Sequence, residues 1–190
     1  MYRKLLAVVF VVFGGLLVPQ NSDAATRPIQ ISIFSPYQLF SQEDLIHGVR
    51  FNLIHGRQEA MIGLDFGFVN SITDELTGRQ FGGFNFVYGP LNGGQIGLWN
   101  WSEHDIYGSQ VGLSNQTTGE IVGFQLGLYS YAVEMTGTQV GLINRTEDMT
   151  GFQLGFFNYT RQMDGFQIGL LNVVEGKDRH KILPIINGSW

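Results

Sequence analysis

The chain has 190 residues, of which 26 are Gly and none is Cys, and its formal net charge is −5. The absence of Cys excludes a disulfide scaffold, a thiolate metal site, a cysteine nucleophile and a lipid-modified N-terminal Cys. An acidic balance without basic clusters argues against nucleic-acid binding. A charged fraction of only 14%, together with so much Gly, favours a tightly stacked repeat or a membrane β-barrel.

The N-terminus is predicted to be a signal peptide over residues 1–24. Arg3 and Lys4 form a short basic region, and an apolar run follows over residues 5–18. This run is short for a membrane-spanning helix, which needs ~20 residues. Small residues then lead up to Ala24, so we expect signal peptidase to cleave after it. The alternative is an uncleaved anchor helix.

Residues 25–190 are predicted to form a single β domain built from one repeated unit, G-x-Q-x-G-(L/F)-x-N. The first glycines of the units recur at intervals of 15 and then 14 residues, at Gly48, Gly63, Gly78, Gly93, Gly108, Gly123, Gly137, Gly151 and Gly165. Two looser copies begin at Pro28 and His180. A short fixed period that covers a whole chain is the signature of a repeat architecture.

Each unit is predicted to be a β-strand, because apolar and polar positions alternate with a period of two. In the unit at Gly151, strict alternation would place Phe156 and Asn158 on one face and Phe157 on the other. Two Gly in every unit suit a helix poorly. The chain is therefore predicted to be all-β.

Two architectures fit this repeat. The first expectation is an antiparallel β-meander that closes into a barrel of about 11–12 strands, with a twelfth strand within residues 36–45. It pairs small with large residues across strands and leaves no open edge. The alternative is a parallel β-solenoid with one coil per repeat, in which Asn would stack into a ladder and Gly would mark the corners. Neither end shows the cap that a solenoid normally carries, which favours the barrel.

These tandem units behind a signal peptide resemble a family of bacterial surface-repeat proteins. The opening PIQISIFSPYQLF from Pro28 and the closing LPIINGSW from Leu183 are also similar to the ends of such proteins. The resemblance implies an exported, envelope-associated protein. It carries over no catalytic residue.

Two columns of amide side chains are expected to be structural. The first is Gln80, Gln95, Gln110, Gln125, Gln139, Gln153 and Gln167. The second is Asn70, Asn85, Asn100, Asn115, Asn144, Asn158 and Asn172. Amides beside Gly can satisfy one another across strands, whereas Asn also supports the turn after a strand. A functional alternative is that the Gln column lines a pore or a binding stripe. Several of the Asn residues, such as Asn115, Asn144 and Asn158, head glycosylation sequons, which the repeat itself generates.

Three further groups of residues stand out. Arg50 and Asp65 replace Gln in neighbouring units, and we expect an ion pair that locks the structure if that face is buried. His104 and Asp105 beside Glu103 form a charge cluster expected in a loop. Aromatic pairs are expected to pack over Gly, to form a membrane-interface girdle or to stack on glycans: Phe84/Phe86, Trp99/Trp101, Tyr129/Tyr131 and Phe157/Tyr159.

The sequence contains no Ser-His-Asp set, P-loop, GxSxG or HExxH motif, so we predict no catalytic, cofactor-binding or metal-ligating residue and no cofactor. The expected protein is non-enzymatic and exported to the outer membrane or cell surface. As a small barrel it would have a structural or transport role, with outer-membrane lipid as its partner and no nucleic acid. The alternative is a secreted or surface-attached solenoid that binds a protein partner or a glycan.

Overall fold

A computed structural model describes residues 24–189, which form only strands, turns and irregular segments. The strands are β1 (Thr26–Phe34), β2 (Tyr37–Gln38), β3 (Leu45–Gln58), β4 (Met61–Ile72), β5 (Leu76–Val87), β6 (Leu91–Ser102), β7 (Ile106–Val174) and β8 (Ile182–Ser189). The predicted signal peptide lies, apart from Ala24, outside the described residues. Within the described range, no helix is long and apolar enough to span a membrane.

The strands of successive repeats run parallel, so the chain is a β-solenoid. Gly78 pairs with Gly93, Gln80 with Gln95 and Asn85 with Asn100, and β1, β3, β4, β5, β6 and β7 follow one another in this way. β7 is a long extended segment that winds through several further coils.

The predicted antiparallel barrel is therefore wrong, and the alternative of a parallel solenoid is confirmed. The physical reason lies in which residues meet. An antiparallel meander sets small residues against large ones, whereas parallel coils set each residue on its own counterpart. Identical amide side chains can then hydrogen-bond from coil to coil, which the antiparallel register would prevent.

The first Gly of each unit marks a corner of the coil. All nine of these glycines have φ between 129° and 153°, a region that residues with a side chain rarely adopt. A Cβ on Gly151 would also lie 2.1 Å from the carbonyl oxygen of Gly137 in the preceding coil. Close stacking of the coils therefore requires Gly here for two independent reasons.

A second corner interrupts the alternation inside each unit. Leu142 and Ile143 are consecutive and both exposed, at 53% and 44%, whereas the next residue, Asn144, is buried. After the corner, the alternation of inward-facing and outward-facing residues is therefore offset by one residue. The strict alternation predicted for Phe156 and Asn158 is wrong for this reason, since Phe156 is exposed and Asn158 is buried.

The interior is shared between apolar and polar columns. Apolar residues two positions before the first Gly are buried in every coil: Ile46, Met61, Leu76, Leu91, Ile106, Ile121, Met135, Met149 and Met163. Ile72, Val87, Ala132 and Val174 complete this apolar core. The remaining interior is occupied mainly by the Gln and Asn columns and by the buried hydroxyl residues Ser102, Thr117, Thr146 and Thr160.

The N-terminal end of the interior carries a cap that the sequence did not reveal. Residues 36–45, expected to hold a twelfth strand, contain only the two-residue β2 and the first residue of β3. Gln30 and Gln38 each donate an Nε2–H to the carbonyl oxygen of Phe40, at 3.0 and 2.9 Å. The polar end of the interior is thereby closed by backbone from this segment.

The C-terminal end is closed by β8, which turns antiparallel to the last coil and sets Ile186 opposite Ile168. Pro184 stands in the edge strand β8, and Pro28 stands in the part of β1 that β2 does not pair. Proline has no N–H to offer to another strand, so it discourages pairing with a further chain.

Substituting Gly151→Ala should lower the free energy of unfolding by about 3 kcal/mol, because it combines a strained φ with a clash against backbone. Gly83→Ala is the matched control. Its Cβ would meet the Phe68 ring edge at 3.1 Å and the Phe68 carbonyl oxygen at 3.2 Å, which require a much smaller shift than the 2.1 Å contact at Gly151. Urea unfolding followed by circular dichroism measures both, and equal losses would contradict the corner assignment.

Candidate functional site

The Gln column forms a continuous ladder of hydrogen bonds along the solenoid. From Gln95 onward, each Gln Nε2–H donates to the Oε1 of the Gln one coil earlier, at 2.7–3.0 Å. All seven side chains are 0% exposed. The predicted mutual satisfaction of these amides is confirmed. Since none of them reaches the surface, they line neither a pore nor a binding stripe.

The Asn column forms a second ladder whose hydrogen bonds run the other way. Asn70 Nδ2 donates to the Oδ1 of Asn85 in the next coil at 2.9 Å, and Asn85 donates to Asn100 at 2.8 Å. Most of these Asn side chains therefore link coils, while Asn70 and Asn172 also donate to carbonyl oxygens of their own coils, those of Gly67 and Gly169. The sequon residues Asn115, Asn144 and Asn158 belong to this buried column, which removes them from contact with solvent.

The Asn ladder is interrupted at Ser130. The Ser130 hydroxyl has no hydrogen-bond partner, and neither has the Oδ1 of Asn144 in the next coil. In the coil before Ser130, Asn115 Nδ2 donates instead to the carbonyl oxygen of Leu126 at 2.8 Å. An Asn at position 130 would supply both the acceptor and the donor that the ladder lacks here.

A buried ion pair ends the Gln ladder on its N-terminal side. Arg50 donates from Nε and Nη2 to the two Asp65 carboxylate oxygens, at 2.8 and 2.5 Å, and both side chains are at most 1% exposed. Asp65 also accepts from Asn52 at 2.9 Å and from Gln80 at 3.1 Å. Four hydrogen bonds offset the cost of burying this carboxylate. The predicted lock is confirmed.

The coil that begins at Gly48 supplies its amide from a different position. Asn52 pairs with Gly67, so it stands where the next coils have their second Gly. Gly56 pairs with Asn70, so it stands where the next coils have Asn. A Cβ on Gly56 would lie 1.9 Å from Asn52 Oδ1, so the two changes compensate. Asn52 donates to Asn70 at 3.0 Å and accepts from Ser32 at 2.6 Å, which extends the ladder to the first coil.

A large share of the apolar side chains points outward, at positions three, five and six after the first Gly. We call this surface the apolar face. It consists of Phe51, Phe66, Phe81, Ile96, Val111, Leu126, Val140, Leu154 and Ile168; Leu53, Phe68, Leu98, Leu113, Leu128, Leu142, Phe156 and Leu170; and Val69, Phe84, Trp99, Tyr129, Ile143, Phe157 and Leu171. Its Leu residues at position five are 51–70% exposed. No Asp, Glu, Lys or Arg occupies these positions.

The apolar face is comparable in size with the largest exposed apolar patch of a typical monomeric protein. Nine coils at about 4.8 Å per coil make it about 40 Å long, and positions three to six span about 10 Å. The projected area of about 400 Å² reaches the size at which an exposed apolar patch is commonly functional.

One titratable side chain, His55, stands in the position-six column of the apolar face. Burial, and then the positive charges of Arg50 and Arg57, lower the pKa of His55 from its ordinary value of 6.5. The imidazole is therefore neutral at pH 7. The face consequently carries no charge at neutral pH.

Acidic side chains gather across the coil from the apolar face. The column three residues before the first Gly contains Glu75, Asp105, Glu120, Glu134 and Asp148, which we call the acidic edge. This column lies about half a coil from position five, hence on the other side of the solenoid. The cross-section is therefore amphipathic, apolar on one side and negatively charged on the other.

The predicted aromatic pairs lie along one margin of the apolar face, at positions six and eight: Phe84/Phe86, Trp99/Trp101, Tyr129/Tyr131 and Phe157/Tyr159. Aromatic rings of neighbouring coils contact each other, and the ring centroids of Phe86 and Trp101 are 6.4 Å apart. The Arg145 guanidinium lies 5.7 Å from the Tyr131 ring and 5.5 Å from the Tyr159 ring.

The residues of the charge cluster around His104 form hydrogen bonds that stabilise the turn. Asp105 Oδ1 accepts the backbone N–H of Glu120 at 2.9 Å, and the His104 carbonyl oxygen accepts from Ser102 at 3.1 Å. Residues 24–189 contain no group of three or more His, Asp or Glu placed to hold a metal ion.

Comparison with protein families, curated proteins and solved structures finds no match to this chain.

Substituting Ser130→Asn should raise the free energy of unfolding by about 1–2 kcal/mol, because it completes two buried hydrogen bonds. The melting temperature should rise by several degrees. Ser114→Asn makes the same chemical change on the outward side one coil earlier and should leave stability unchanged. A melting temperature that falls in Ser130→Asn would contradict the interrupted ladder.

Substituting Asp65→Gln should cost about 3–5 kcal/mol, because it leaves the Arg50 guanidinium buried without its counter-ion. The double variant Arg50→Gln/Asp65→Gln places the repeat's own residue at both positions and should recover most of that loss. Urea unfolding of the two variants measures the coupling. Additive losses would show that the pair does not act as a unit.

Proposed function

We propose that this protein is a non-enzymatic, exported protein of the cell envelope that attaches to lipid through its apolar face. The observation that carries the proposal is a row of uncharged apolar side chains that runs along the solenoid yet stays outside its core. The predicted signal peptide and the resemblance to bacterial surface-repeat proteins support export.

The apolar face is costly unless something covers it. Leu113, Leu128 and Leu142 are about half exposed, and each Å² of apolar surface left in water forgoes about 25 cal/mol. The interior does not need these side chains, since amide ladders and a separate apolar column fill it. The repetition of Leu at an outward position, coil after coil, therefore points to a ligand outside the fold.

The charge distribution favours lipid as that ligand. The face is neutral, which suits the hydrocarbon boundary of a bilayer, and the acidic edge lies on the side that would face water. Trp99, Trp101, Tyr129 and Tyr131 at the margin are residue types enriched at membrane–water interfaces. Attachment would then resemble that of other amphipathic elements that lie in the plane of the interface.

A second candidate function is the binding of a glycan or a protein partner along the aromatic margin. Tyr131, Arg145 and Tyr159 form an outward stack in three successive coils, and sugar rings commonly pack on such aromatic surfaces. This candidate uses position eight rather than the apolar face. Loss of binding in Tyr131→Ala, with lipid attachment intact, would distinguish it.

The wild-type protein without residues 1–24 should float with phosphatidylcholine vesicles in a density gradient. Leu113→Glu/Leu142→Glu should reduce its vesicle partition at least tenfold, because each carboxylate would have to enter the hydrocarbon boundary. Thr118→Glu/Thr150→Glu adds the same charge at exposed sites outside the apolar face and should leave partition unchanged.

Light scattering on the same samples tests whether a second copy covers the face instead. A wild-type dimer that does not float, and that Leu113→Glu/Leu142→Glu converts to a monomer, would contradict attachment to lipid.

A further inference from the structure

A straight groove runs along the C-terminal half of the apolar face. Its floor is the backbone of the second glycines of four successive coils, from Gly127 to Gly169. Its walls are side chains at positions three and five, such as Leu154 and Leu142. Ile185 of β8, paired with Gly169, lies at its C-terminal end. The volume is about 600 Å³, and the lining is almost entirely apolar.

The same columns have a different wall in the N-terminal half. There position three carries Phe51, Phe66 and Phe81, whose rings stack with centroid distances of 5.5 and 5.0 Å. In the groove, position three carries the narrower Val140 and Leu154. Aliphatic residues occupy position three from Ile96 onward, so the aromatic wall is confined to the coils that begin at Gly48, Gly63 and Gly78.

We infer that this groove holds one acyl chain of a membrane phospholipid, lying parallel to the solenoid axis. The inference rests on the proposed function and names the part of the lipid that is bound. Four coils and β8 at about 4.8 Å spacing give a groove about 19 Å long. A lipid acyl chain is about as long as half of the ~30 Å hydrocarbon core of a bilayer, so one chain fits lengthwise in the groove.

The chemistry of the groove excludes more polar occupants. Its floor lies on the face of strand β7 and not on an open strand edge. An extended peptide needs an open strand edge to add itself to a sheet. A glycan in the groove would lose its hydrogen bonds to water without replacing them, which is unfavourable. An unbranched hydrocarbon chain needs no such partner.

Monomeric lysophosphatidylcholine, which has one acyl chain, tests the groove separately from the bilayer. In native mass spectrometry and calorimetry, the wild-type protein should bind one molecule per chain. Val140→Phe/Leu154→Phe extends the aromatic wall into the groove and should weaken this binding at least tenfold. The matched control Ile96→Phe/Val111→Phe changes the same column outside the groove and should bind as the wild type does.

Vesicle flotation of the same variants separates this inference from the proposed function. Val140→Phe/Leu154→Phe adds apolar surface, so it should still float with phosphatidylcholine vesicles. Absence of lysolipid binding in the wild type, or equally tight binding in Val140→Phe/Leu154→Phe with an unchanged melting temperature, would overturn the groove assignment. Lysolipid binding without flotation of the wild type would support the groove and overturn attachment to bilayers.

Discussion

Hydrogen bonding between identical amide side chains in adjacent coils is the constraint on which this structure depends. A buried Gln or Asn is tolerated when its donors and acceptors are met, and a ladder meets them by placing the next copy directly above. This requirement fixes the parallel direction of the strands and the near-constant repeat length. It also explains the glycines, since the amides and the neighbouring backbone leave no space for a Cβ at Gly141 or Gly151.

The same constraint sends much of the apolar content to the surface. A single apolar column and a few further residues suffice beside the ladders, so Leu and Phe at positions three and five are free to face outward. On one side of the solenoid, apolar side chains are therefore exposed to solvent instead of buried. Acidic residues occupy the opposite side, and the resulting polarity gives the molecule a defined side for attachment.

The departures from the repeat are each compensated within the ladders, with one exception. Arg50 and Asp65 neutralise each other at the end of the Gln ladder. Asn52 supplies the amide from the position where other coils have Gly, and Gly56, at the position where other coils have Asn, leaves room for that amide. Ser130 has no such compensation and leaves Asn144 Oδ1 without a partner. The fold thus tolerates local defects while the ladder on either side remains intact, which suits a rigid surface-presenting scaffold.

The sequence by itself determined the all-β class, the repeat boundaries, the buried pairing of Arg50 with Asp65 and the mutual satisfaction of the Gln column, because these follow from local periodicity and from matched residue types. Strand direction could not be read in this way, since a period-two strand looks the same whether its neighbour is parallel or antiparallel. The corner between Leu142 and Ile143, the cap over residues 36–45 and the exchange of Asn52 with Gly56 likewise depend on contacts between residues far apart in the chain. Only the tertiary structure decided which side of each strand faces inward, and hence that the apolar face is exposed.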